Sequence, residues 1–86
     1  MTMRAAVEIS MYPLAGEYIA PIKAFIERLN GHPDLIVTTN ALSTQLWGEL
    51  DRVMGILGDE MQRAAASGPQ LVFVIKVLPG LAAPAS

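Results

Sequence analysis

Apolar and polar positions alternate from Val7 to Tyr12 within the stretch Val7 to Leu14 (VEISMYPL). In an extended strand Val7, Ile9 and Met11 share one face, and Glu8, Ser10 and Tyr12 the other. A strand buried on both sides is apolar throughout, and a merely solvated face rarely sets an acid, a hydroxyl and a phenol in a row. One face is therefore predicted to be core and the other a surface with a function. The strand is expected from about Arg4 to Tyr12, with Met1 to Met3 loose and a turn after Pro13 and Gly16.

From Glu17 the period changes to that of a helix. Ile19, Ile22, Ile26 and Leu29 recur on one side, widened by Tyr18 and Phe25. Pro21 fits only in a first turn, so the helix is predicted to start between Tyr18 and Ala20 and to be capped at Asn30-Gly31. After the turn His32-Pro33-Asp34, the β-branched run Leu35 to Thr39 predicts a second strand. Leu42 to Gly48 predicts a third, joined by a tight hairpin at Asn40-Ala41. Glu49 to Ala66 returns to helical spacing through Leu50, Val53, Met54, Leu57, Met61 and Ala64. Its Gly55 and Gly58 suggest either a close approach or a soft helix. Gln70 to Leu78 (QLVFVIKVL) is the most strand-like run.

The order β-α-β-β-α-β predicts an α+β, ferredoxin-like fold, with a four-stranded antiparallel sheet carrying both helices on one face. Strands one and three are then central, and strand four flanks strand one. Val7, Ile9, Met11, Leu46, Phe73 and Ile75 should face the helices, each worth about 1.5 to 3 kcal/mol when buried. The open face should carry Glu8, Ser10, Tyr12, Ser43, Gln45 and Trp47, with Val72, Val74 and Lys76. Such a surface suits a small-molecule pocket. It equally suits an oligomer interface through Tyr12, Trp47, Val72 and Val74, with Glu8 and Lys76 as a cross-strand ion pair.

Length and composition narrow the classes. Eighty-six residues make one domain, expected over 1–78, with 79–86 as a disordered alanine-proline tail. An apolar content of 52% against 16% charged points to some apolar surface in a subunit contact. The lack of cysteine removes disulfides and thiolate chemistry, and a net charge of -2 leaves no footprint for nucleic acid. With no signal peptide and no run long enough to span a membrane, a cytoplasmic location is expected. His32, in a turn without a second histidine, is not expected to ligate metal or to act in catalysis.

Three segments, VEISMYPL, YIAPIKAFIERL (Tyr18 to Leu29) and LSTQLWGE (Leu42 to Glu49), together resemble the YkoF-like family of thiamine-binding proteins, related to the DUF77 small proteins. The resemblance covers about residues 5 to 78, with signature matches at Glu8, Ser10, Tyr12, Pro13, Ser43, Thr44, Gly48 and Glu49. It implies a ferredoxin-like domain that associates through its sheets and, in some members, binds thiamine or its hydroxymethylpyrimidine part. Ser10, Ser43 and Gln45 would read the aminopyrimidine edge, Glu8 would take an amine or oppose the thiazolium charge, and Tyr12 or Trp47 would stack.

The sequence thus predicts a non-enzymatic binder without cofactor, in a homo-oligomer of two or four subunits joined through sheet faces or edges. The ligand-binding set is Glu8, Ser10, Tyr12, Ser43, Gln45 and Trp47. An oligomerisation module with no small ligand is the alternative. No activated nucleophile, phosphate-cradling loop or metal set suggests an enzyme.

Overall fold

The computed structural model describes residues 2–14, 16–66, 68 and 70–81. The chain runs β1 (Arg4–Pro13), α1 (Ile19–Asn30), β2 (Ile36–Thr39), β3 (Thr44–Glu49), α2 (Leu50–Ala66) and β4 (Leu71–Pro79). The strands form one antiparallel sheet in the order β2-β3-β1-β4. This is the predicted ferredoxin-like arrangement, and it follows from the switch between periods of two and 3.6 along the chain.

The local differences from expectation have physical causes. The β2-β3 connection is wider than a turn at Asn40-Ala41. Asn40 Oδ1 accepts the N–H groups of Leu42 at 2.8 Å and Ser43 at 3.1 Å, while Asn40 N–H donates to the Ser43 carbonyl at 3.1 Å. The asparagine side chain thus replaces ladder bonds and delays β3 to Thr44. At the N-terminus of α1, Glu17 Oε1 accepts from Ile19 and Ala20 N–H at 3.0 and 3.1 Å, and Pro21 lies in the first turn, where its missing donor costs nothing. Gly31 ends α1 with φ of -77°, so it supplies no left-handed cap; its N–H reaches back to Arg28 and Glu27 carbonyls.

Met3 is not loose, because its carbonyl accepts Leu50 N–H at 2.7 Å. The ordered domain also runs past Leu78: β4 continues through Pro79, and Gly80 N–H donates to the Arg4 carbonyl at 2.6 Å. The remainder of the expected tail, residues 82–86, lies outside the described residues.

Both helices cover one sheet face. Val7, Ile9 and Leu46 from the sheet are buried against Phe25 and Leu29 of α1 and Val53, Ile56 and Leu57 of α2. Met11, Phe73 and Ile75 are half-buried against this cluster. The Phe25 and Phe73 rings meet at 5.2 Å between centroids and 47° between planes, tying α1 to β4. Gly48 lets β3 approach α2 closely, since a Cβ there would lie 2.9 Å from Val53 Cγ2 and 3.2 Å from the Asp34 carbonyl oxygen. Around Gly55 and Gly58 a Cβ would meet nothing within 4 Å, which removes close approach as the reason for either glycine. Among the described residues no helix is long and apolar enough to cross a membrane.

Candidate functional site

Residues paired across strands share a face, so the register maps the open side row by row. The central row is polar: Thr38, Gln45, Glu8 and Lys76 lie side by side on β2, β3, β1 and β4. On one side of it lies an apolar row of Ile36, Trp47, Ala6 and Leu78. On the other, Ser10 sits beside Val74 and Tyr12 beside Val72. A polar band therefore crosses a largely apolar sheet. Ile36, Tyr12, Val72, Val74 and Leu78 are all exposed large hydrophobics.

Glu8 is the centre of the band. Its Oε2 accepts the Ser43 hydroxyl at 3.0 Å, and its Oε1 lies 3.5 Å from Lys76 Nζ. The cross-strand ion pair is thus present, but Glu8 is not buried as a mid-strand position suggests: its side chain is 40% exposed and that of Lys76 77%. An ion pair this wet is worth at most about 1 kcal/mol. Beside it stands Trp47, whose indole Nε1 is buried and has no hydrogen-bond partner among the described residues. A buried orphan donor costs about 1 to 3 kcal/mol.

Two cavities divide the predicted residues between them. A pocket of about 330 Å³ on the open face is lined by Glu8, Gln45, Trp47, Lys76, Leu78 and Leu81. A notch of about 370 Å³ where β1 outruns β3 takes Ser10, Tyr12 and Ser43, together with Tyr18 and Ile22 of α1 and Leu42 of the hairpin. Ser43 joins the two, because it lines the notch while its hydroxyl holds the Glu8 carboxylate of the open-face pocket. Thr44, by contrast, points inward. It is buried, with its hydroxyl 3.2 Å from that of Thr39.

A second polar cluster escaped the sequence analysis. Glu60 of α2 is buried, its Oε1 accepting Arg28 Nε at 2.8 Å and its Oε2 accepting His32 Nε2 at 2.9 Å, with Arg63 Nε at 3.6 Å. Burial pushes the Glu60 pKa up, but the hydrogen bonds from His32 and Arg28 and the charges of Arg28 and Arg63 outweigh it and hold the carboxyl below its ordinary value. The signal was available: Val53, Leu57, Glu60 and Ala64 follow helical spacing on the buried side of α2, so an acid there needs partners. The cluster fastens the C-terminal end of α1 to α2, on the sheet's covered side. His32 is accordingly a structural partner of Glu60. On the surface nearby, Asp34 accepts a hydrogen bond from Arg52 Nε, which lowers the Asp34 pKa.

The fold recurs in solved structures. A hypothetical protein of Methanocaldococcus jannascii superposes with a TM-score of 0.76 at 26% identity, over 86% of this chain and 77% of that one. A DUF77 domain of unknown function from Bacillus cereus gives 0.72 at 18% identity, over 90% and 76%. The chain shares the fold of the DUF77 domain. A Thermotoga maritima protein provisionally assigned to thiamine biosynthesis or salvage gives 0.79 at 14% identity, over 86% and 81%. No protein-family model and no curated protein matches the chain.

Proposed function

We propose that this chain is a non-enzymatic binding protein for thiamine or its hydroxymethylpyrimidine moiety, held on the open sheet face and enclosed by a second copy. The observation that carries this reading is the Glu8 carboxylate, anchored by Ser43 at 3.0 Å and set beside Trp47 in a pocket of about 330 Å³. A half-exposed carboxylate next to an indole is a complementary surface for a flat cationic ring, with Gln45 adjacent to orient it. Lys76 is a weak competitor. Being 77% exposed, it swings into water for less than about 1 kcal/mol and leaves Glu8 to the guest. The fold neighbour from Thermotoga maritima assigned to thiamine biosynthesis or salvage supports the choice of ligand.

Thermal denaturation with and without thiamine tests the reading. Ligand at 100 times its dissociation constant adds about 2.7 kcal/mol of stability, and Glu8→Gln should abolish most of the increment. An unchanged melting temperature with both thiamine and hydroxymethylpyrimidine refutes it.

One observation favours the alternative, an oligomerisation module with no small ligand. The polar row is bordered on both sides by exposed Ile36, Leu78, Tyr12, Val72 and Val74, an apolar rim suited to another sheet. If Trp47→Ala dissociates the assembly in sedimentation while wild type ignores both ligands, this alternative replaces the first reading.

A further inference from the structure

Asn30 and Gly31 are the single asparagine-glycine pair of the chain, and they lie where α1 ends. The pair carries latent chemistry. The Gly31 nitrogen can attack the Asn30 side-chain carbonyl carbon, closing a succinimide ring and expelling ammonia; water then opens the ring at either carbonyl and leaves an aspartyl or an isoaspartyl residue at position 30. Glycine permits the attack because it has no Cβ to hinder it. After Asn40, the other asparagine, Ala41 supplies that hindrance. Attack further requires the Gly31 nitrogen to shed its proton and to approach the Asn30 Cγ.

The fold withholds both conditions. Asn30 is the last residue of α1, and its side chain runs back along the helix, where Nδ2 donates to the Ile26 carbonyl at 3.0 Å, away from the residue that follows. The Gly31 N–H donates to the Arg28 and Glu27 carbonyls at 3.1 and 3.2 Å, so the proton that must leave is held by two acceptors. Helix ends fray readily, and these bonds alone would open at low cost. Glu60 holds them closed. Arg28 and His32 flank the pair in sequence, and they engage the two oxygens of that buried carboxylate at 2.8 and 2.9 Å. Asn30 and Gly31 are themselves exposed, so conformation alone protects them from reaction.

We infer that Asn30-Gly31 is a self-modification site gated by the Glu60 clamp: release of Arg28 and His32 lets the last turn of α1 unwind, the Gly31 nitrogen reaches the Asn30 Cγ, and the chain deamidates. The product does not restore the old helix end. An isoaspartyl linkage runs the main chain through the side-chain methylene, adding a backbone carbon between Arg28 and His32 and spoiling their joint reach to Glu60. Either product also sets a new negative charge at a helix C-terminus, where the dipole disfavours it. An opening of the clamp is thereby made permanent, and α1 is held to α2 less firmly afterwards. The site is independent of any ligand.

The test is incubation of the full chain in mildly alkaline buffer, native and in guanidinium chloride, followed by trypsin and mass spectrometry that separates the isoaspartyl form. Cleavage after Arg28 and Arg52 releases one peptide holding both asparagines, so Asn40 is the internal reference. In denaturant Asn30 should convert well ahead of Asn40, and in the native chain it should be protected. Glu60→Gln should speed native conversion at Asn30 about tenfold, the equivalent of about 1.4 kcal/mol lost from the clamp, and leave Asn40 unchanged. If that variant fails to fold, His32→Ala, which loosens one side of the clamp, is read in its place. Ile9→Ala separates local from global opening: it makes a cavity in the core but keeps the clamp, so it should lower the melting temperature and leave the Asn30 rate near that of wild type. Native conversion at the denatured rate overturns the inference, and so does a clamp variant with the wild-type rate. Equal acceleration by Ile9→Ala overturns it as well, since global unfolding is then the gate. Failure of Asn30 to outpace Asn40 in denaturant removes the site altogether.

Discussion

Replacing Glu60 with glutamine tests how the two helices are held over the sheet. The substitution keeps the shape and one acceptor but removes the charge that Arg28 Nε, His32 Nε2 and Arg63 Nε share at 2.8, 2.9 and 3.6 Å. A hydrogen bond to a charged group is worth about 1.5 to 3 kcal/mol, and two direct ones are affected. The basic partners all keep some access to water, so they rehydrate in the variant and the loss falls short of the sum. We expect about 2 kcal/mol, which for a domain of this size lowers the melting temperature by roughly 8 to 16 °C. Far-ultraviolet circular dichroism during heating at pH 7, with both chains at the same concentration, measures it. The sign of the pH dependence follows from the lowered Glu60 pKa. Its stabilisation is complete above the unfolded value of about 4.3 and is lost as pH falls through the lower folded value, so the gap between wild type and Glu60→Gln should close toward acid. Equal melting temperatures at pH 7, or a gap that widens in acid, would refute the role given to Glu60.

Other substitutions probe the backbone. Gly55→Ala should stabilise by about 0.5 to 1 kcal/mol, because the new methyl meets no neighbour and the helix gains propensity; urea unfolding reads this as a higher midpoint with an unchanged slope. Gly48→Ala should cost about 1 to 3 kcal/mol, since its Cβ would press on Val53 and on the Asp34 carbonyl, and the loss should show as a lower melting temperature. Asn40→Ala, which leaves the Leu42 and Ser43 N–H groups to water, should cost about 1 kcal/mol and speed amide exchange at both positions.

The pattern of residues by itself determined the element order and therefore the fold. Alternation in VEISMYPL and the 3.6-residue stripes of α1 and α2 each admit one way of burying their apolar side, QLVFVIKVL is strand-like through its apolar, β-branched content, and this pattern is local. It also separated the inward Val7, Ile9 and Leu46 from the outward Glu8, Gln45 and Trp47. What only the tertiary structure decided is register and strand length, which depend on partners distant in sequence. These sent Ser43 to the Glu8 carboxylate and gathered Arg28 and His32 around Glu60. They also ended β3 short of Met11, because Asn40 claimed the N–H groups that would have continued the ladder, and so opened the notch that side-chain periodicity cannot foretell.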